Sequence, residues 1–507
     1  VTSSRVLLRP LTGGLQESVA RDEFAETGAA ADASPSVVAT RRHEMPTDTE
    51  PEPVPAPPEL PSWWRSKVTW VVIALGVAAA GAIELRGGTP MGARQRPNVI
   101  VLVMDTTRAD RCSFLGYDRP TTPNLAEFAK ESVSYSNAWT PGGWTGPAHA
   151  SLFTGLRPEH HGFHDGARNY LDSATPTLAT RLSEEGWSTA CFTNNAWIAP
   201  EFGLTRGFGR VDELYRNETR PYPWAHQTHT LAADWAGAEA RAGRPFFLFV
   251  NDMEPHLPYT PPEDEQARFL RTAPTKEELA EARALFTDEA TAYALGARDV
   301  SPRVLATMAD LYDAEIATLD KEIGGFLARL RTEGLLDSSI VVIAADHGEP
   351  LGEHHMIDHG HSLHRACRHV PLMIRFPPAF DGGRVVDSVV RIEDVAPTIL
   401  ELCGLSIPGD LDGVPLTRDL GGRISIAVQG AFPGRRAWIA ESNPGADPSR
   451  YLLGLKAVFD GRYHLLTYSD GRRELFDDTV DPAEVNDLSA KEPAVLARLL
   501  ALLPSQN

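Results

Sequence analysis

Pro97-Asn98-Val99-Ile100-Val101-Leu102-Val103-Met104-Asp105 is a continuous apolar run closed by a carboxylate. That is the pattern of a strand buried on both faces, as in a parallel sheet. Two further runs have the same texture, at 246–250 and at 339–345, and the second closes in Asp346-His347-Gly348-Glu349. Stretches of helical periodicity at 125–132, 177–185 and 308–333 lie between the runs. Strands alternating with helices imply an α/β fold, a doubly wound sheet with helices on both faces. Ligands of such sheets bind beyond the carboxyl ends of the strands. Asp105 and Asp346-His347 stand there.

A third feature lies between the first two strands: Trp144-Thr145-Gly146-Pro147-Ala148-His149, followed by a helical stretch to about residue 156. Proline suits the first turn of a helix, where its missing N–H has no partner to lose. Thr145 therefore sits at a helix N-terminus, where unpaired N–H groups and the helix dipole favour negative charge. A hydroxyl there becomes a nucleophile if a metal also holds it. Two carboxylates, one imidazole and one hydroxyl form a mixed oxygen and nitrogen set that suits a divalent cation such as zinc or manganese. Asp105, Asp346, His347 and Thr145 are the expected ligands.

The chain has 507 residues and a formal net charge of −20. That balance excludes the basic face of a nucleic-acid binder, so no nucleic-acid partner is expected. The four cysteines form no CxxC pair, so neither a zinc ribbon nor a disulfide scaffold is expected. Residues 1–62 are poor in large apolar side chains and end in a proline-rich run, the composition of a disordered tail. Residues 63–86 contain an apolar segment with Arg65 and Lys67 before it and Glu84 after it. The segment is just long enough for one transmembrane helix. The positive-inside rule then puts the tail in the cytoplasm and the rest outside, a single-pass membrane protein. Residues 87–96 read as a linker and 97–424 as the catalytic domain. Short strand-like runs at 437–441, 453–459 and 463–469, with a closing helix at 492–503, make 425–507 a small antiparallel subdomain.

Several motifs in order resemble the sulfatase family of the alkaline phosphatase superfamily. They are Asn98 to Asp110 followed by Thr122-Pro123-Asn124-Leu125, Ser151 to Pro158, Asp252-Met253-Glu254-Pro255-His256-Leu257-Pro258-Tyr259, Asp346-His347-Gly348-Glu349 with Gly352-Glu353-His354, Arg368 to Arg375, and Glu474-Leu475-Phe476-Asp477-Asp478. The resemblance covers about residues 96–490. It implies an alkaline-phosphatase-like fold and a divalent metal cofactor (calcium, manganese or zinc). It also implies an anionic ester substrate, with Asp105, Asp346 and His347 as metal ligands. Thr145 falls where the family's nucleophile falls. His256 resembles a substrate-contacting or proton-donating histidine, and His361 lies near a cationic substrate contact.

The departures sharpen the expectation. Relatives carry cysteine or serine at the Thr145 position and convert it to formylglycine; oxidising threonine at Cβ leaves a ketone, not an aldehyde. His149 replaces an arginine, which implies a charge that varies near neutral pH. Thr106 replaces a second aspartate. Thr193-Asn194-Asn195-Ala196 stands where a lysine–histidine substrate motif is expected, so Asn194 and Asn195 become candidate substrate contacts. A formylglycine hydrate expels sulfate by collapsing to the aldehyde, and threonine has no such exit. A threonine phosphate is open to in-line attack by water. The expected protein is a membrane-anchored, metal-dependent hydrolase of sulfate or phosphate esters, with Thr145, His256 and His149 in catalysis. The alternatives are a head-group transferase of the cell envelope and an inactive binding protein that kept the fold.

Overall fold

The computed structural model describes residues 96–164, 169–217, 219, 221–432 and 435–504. The expected tail, membrane helix and linker lie outside these residues, Arg96 apart. Among the described residues no helix is long and apolar enough to cross a membrane.

Nine strands form the large sheet: β1 Asn98–Met104, β2 Val133–Trp139, β3 Ser188–Thr193, β4 Arg210–Glu213, β5 Phe246–Asp252, β6 Ser339–Ala344, β7 His369–Arg375, β8 Arg384–Val386 and β9 Val390–Arg391. Their order is β4-β3-β5-β1-β6-β7-β2-β8, with β9 also on β2. β1 lies at the centre, parallel to β5 on one side and to β6 on the other. β7 alone runs antiparallel to its neighbours β6 and β2. The sheet is therefore mixed, although the apolar runs predict a parallel one.

Every residue of β1, β5 and β6 is buried, because helices cover both faces. The main helices are α1 Pro123–Ala129, α2 Thr145–Thr154, α3 Leu178–Glu184, α4 Trp224–Arg241, α5 Pro302–Thr332 and α6 Val395–Leu402. Side chains alternate along a strand. Val99, Val101 and Val103 accordingly pack with residues of α2, α3 and α6. Ile100, Leu102 and Met104 pack with residues of α1, α4 and α5 on the other face. Each such side chain contributes about 1.5–3 kcal/mol on burial.

The second sheet is antiparallel, in the order β10 Ser425–Gln429, β11 Leu455–Phe459, β12 Tyr463–Tyr468, β13 Arg473–Asp477. One expectation fails here. Residues 437–441 lie not in a strand but in helix α7, Arg435–Ser442. Its buried residues are Ile439 and, just past its end, Asn443, while Ala437 and Glu441 are exposed. Burial four residues apart is helical spacing, and Ile439 packs on Ala294 and Tyr451. The chain closes on helix α8, Pro493–Leu500.

Candidate active site

Because β1, β3, β5 and β6 are parallel, their carboxyl ends meet at one edge of the sheet. Asp105 follows β1, Asn195 follows β3, Asn251 is the penultimate residue of β5, and Asp346-His347 follow β6. Helix α2 brings Thr145 to the same edge. All ten residues of α2 are buried. A Cβ on Gly146 would lie 2.2 Å from the Phe163 ring, so only glycine lets the first turn pack this closely.

One amide binds the cluster together. Asn195 Nδ2 donates to Asp105 Oδ2 at 2.7 Å and to Thr145 Oγ1 at 3.2 Å. Asn251 Nδ2 donates to the same Asp105 oxygen at 3.1 Å. His347 donates from Nδ1 to Gly348 O at 2.9 Å. This leaves Nε2 as the free acceptor, the usual means by which a backbone carbonyl fixes a histidine tautomer. That Nε2 faces Thr145 Oγ1 at 3.4 Å, Asp346 Oδ2 at 3.3 Å and Asp105 Oδ1 at 4.0 Å. Asp346 Oδ1 accepts from the N–H groups of His347 and Thr106. Thr106 holds a left-handed backbone at φ 55. Tyr312 of α5 pins it: its hydroxyl donates to Thr106 O at 2.7 Å and accepts from Arg108 N at 2.9 Å.

The carboxylate oxygens left over are the informative ones. Asp105 Oδ1 and Asp346 Oδ2 are buried with no hydrogen-bond partner. Burial, with Asp105 adding to it, raises Asp346 well above the usual carboxylate range, and burial drives His347 well below the usual imidazole range. Orphaned buried carboxylate oxygens cost on the order of several kcal/mol unless a cation meets them. Ligand atoms of Asp105, Asp346 and His347 all lie within 4.8 Å of one another. The donor set therefore fits a divalent cation.

The other expected residues are placed as follows. His149 lies under the cluster, donating from Nδ1 to Thr145 O at 3.0 Å, 3.5 Å from Asp346 Oδ2. Burial lowers its pKa to about 4 against the pull of Asp105, so the ring is neutral at pH 7 rather than titrating there. Asn194 is turned away: its amide donates to Asn251 O at 2.7 Å and Thr228 Oγ1 at 3.0 Å. His361 packs edge-on against Tyr451, ring centroids 4.2 Å apart. His256 donates from Nδ1 to Leu257 O, and its ring lies 4.9 Å from that of His359.

His359 itself was not anticipated. Its ring lies 4.4 Å from His347. Burial lowers its pKa, but the hydrogen bond to Glu349 at 2.7 Å and the nearby Asp358 outweigh this and hold it at about 9. A positively charged imidazole thus stands beside the cluster, two residues before the histidine expected for that task. Asn251 and Tyr312 were also missed, since neither carries a local signal.

Comparison with known proteins identifies the family. Residues 97–405 match the family profile described as Sulfatase, so the chain belongs to the sulfatase family. It is 24% identical to an arylsulfatase of Clostridium perfringens, covering 78% of this chain and 91% of that one. It is also 24% identical to arylsulfatase K of Bos taurus, covering 85% and 86%. Among solved structures, a phosphonate monoester hydrolase of Agrobacterium radiobacter superposes with TM-score 0.65 at 20% identity, over 80% of this chain and 94% of that one. These likenesses confirm the alkaline-phosphatase-like α/β fold.

Proposed function

We propose that this chain is a metal-dependent hydrolase of sulfate or phosphate esters in which Thr145 is the nucleophile. The supporting observation is the place of Thr145 Oγ1, between Asn195 Nδ2 and His347 Nε2 at a helix N-terminus, beside two carboxylate oxygens that lack partners. Asp105, Asp346, His347 and Thr145 would hold the cation, which when bound supplies charge that favours the threonine alkoxide and offsets the anionic ester oxygens.

The chain's own groups do the remainder. Asn195 fixes the hydroxyl, and the first-turn N–H groups of α2, which have no intrahelical partners, favour the ester anion. Protonated His359 adds a positive charge beside it. Thr145 Oγ, its proton lost to solvent as the alkoxide forms, attacks the central atom, the bond to the leaving oxygen breaks, and His256 gives that oxygen a proton. The threonine ester left behind is cleaved by water at the same central atom: His256 takes a proton from the water, and the threonine oxygen departs as the alkoxide, which returns both groups to their starting states. Both chemistries have relatives, an arylsulfatase and a phosphonate monoester hydrolase by name. Threonine favours phosphorus, since it has no aldehyde route for expelling sulfate. The proposal includes a single-pass anchor at 63–86 with the catalytic unit outside, on the composition and flanking charges of that stretch.

The test is turnover of p-nitrophenyl phosphate, bis-p-nitrophenyl phosphate and p-nitrophenyl sulfate by the purified, manganese- or zinc-loaded chain. A phosphoryl ester is expected to turn over fastest, and Thr145→Ala to abolish it. Turnover of the sulfate alone, or equal rates in both proteins, contradicts the proposal.

A further inference from the structure

The segment that carries His359 is closed at its base by a second group of metal-ligating side chains, none of them shared with the catalytic cluster. His354 and His364 lie at its two ends, and their rings stack with centroids 3.7 Å apart at an interplanar angle of 19°. One ring nitrogen of each and one oxygen of Glu484 lie within 4.8 Å of one another. Glu474, on β13, adds another carboxylate, its Oε2 3.1 Å from His364 Nε2. His364 and Glu484 are buried and His354 is half-buried. Both His354 and His355 have left-handed backbones, at φ 53 and 56, where the chain reverses beside Glu484.

Each donor except His354 is oriented by a further group, as metal ligands are. Ser362 Oγ meets His364 Nδ1 at 2.8 Å. Glu484 is held by the His464 ring and by the Arg365 N–H. Tyr468 donates its hydroxyl to Glu474 Oε2 at 2.7 Å. Among the described residues, none hydrogen-bonds to a ring nitrogen of His354. Two imidazole nitrogens and two carboxylates form a set of borderline donors matched to zinc and its neighbours.

We propose that His354, His364 and Glu484, with Glu474 as fourth donor, form a second divalent-metal site of the zinc class, joining the His359 segment to the C-terminal sheet. The cation takes the place of the proton between His364 and Glu474, and binding releases that proton. A filled site holds both ends of the segment and so sets where His359 stands against His347 and His256. The inference does not depend on Thr145 being the nucleophile.

The test is titration of the metal-stripped full-length chain with zinc, read by elemental analysis, and with cobalt(II), read by its visible absorption. His354→Ala and Glu484→Gln are each expected to bind one equivalent fewer than wild type and to lose part of the cobalt spectrum. Asp105→Asn, which disables only the catalytic cluster, is expected to keep this equivalent and to gain thermal stability when zinc is added. Full stoichiometry and an unchanged cobalt spectrum in the two folded variants overturn the proposal. So does Asp105→Asn that binds no zinc, a result that does not require either other variant to fold.

Discussion

The catalytic edge of the large sheet and the seam beneath the C-terminal sheet both gather histidines and carboxylates, but they hold them differently. At the catalytic edge each group stands at or just past a strand end or in the first turn of α2, and two carboxylate oxygens are left without partners. At the seam the groups come from loops and from β13, and almost every donor already meets a hydrogen-bond partner. The first arrangement keeps ligand atoms available at a cost in stability, as functional sites do. The second satisfies itself, and Arg368 completes it. Its buried guanidinium donates to Thr140 O, Ser425 Oγ and His464 Nε2, bridging the two sheets. Substitutions at the edge should therefore remove chemistry and leave the fold, and substitutions at the seam should first cost stability.

The largest expected effect tests that contrast directly. Thr145→Ala should lower kcat by about 10⁴-fold or more, since removing a nucleophile abolishes the covalent route. Its thermal midpoint should stay near wild type, because the hydroxyl has only the long contacts to Asn195 and His347. Asn195→Ala should cost about 10²–10³ in kcat, the scale for one oriented donor. Its neighbour Asn194→Ala should instead lower stability by about 1–3 kcal/mol, by stranding Asn251 O and Thr228, with kcat nearly unchanged. If Asn194→Ala loses activity and keeps stability, the assignment of the two amides is reversed.

At the seam, Arg368→Met should cost about 3 kcal/mol in a denaturant titration while kcat per folded molecule holds. A smaller effect comes from α5. Burial raises Glu315 to about 8, with the Glu254 charge adding to it, and raises Glu254 to about 7, with the Asp252 charge adding to it. The unfolded chain releases these protons above about pH 4.5, whereas the folded chain keeps them. Stability therefore falls as pH rises through that window, until the folded groups ionise near 7 and 8. Glu315→Gln should reduce the fall by at most about 1.4 kcal/mol per pH unit. An unchanged pH profile would show that Glu315 is ionised in the folded protein.

Much of this was legible in the sequence, for a physical reason. β1, β5 and β6 are buried on both faces, so their apolar runs are uninterrupted, and the charged residue ending each run marks the edge where ligands bind. Asp105, Asp346 and His347 were readable for that reason, and Thr145 from the helix start that Pro147 marks. β2 was not, because Ser134, Ser136 and Asn137 break its apolar pattern. The reversed direction of β7 depends on its pairing with β6 and β2, which no local pattern encodes. Residues 437–441, Ala437-Trp438-Ile439-Ala440-Glu441, form an apolar run too short to separate strand from helix. Asn251, Tyr312 and His359 gain their roles only when strand ends, α5 and the 354–364 segment meet. His359 could have been found by weighing both histidines of Asp358-His359-Gly360-His361 rather than one.

The central claim is that Thr145 carries the reaction through a covalent ester. Mass spectrometry of the metal-loaded chain, acid-quenched during turnover of a phosphate ester, tests it most directly. The account predicts an adduct of phosphoryl mass on the peptide containing Thr145, absent in Thr145→Ala. Turnover with no adduct in wild type and equal turnover in Thr145→Ala would contradict it.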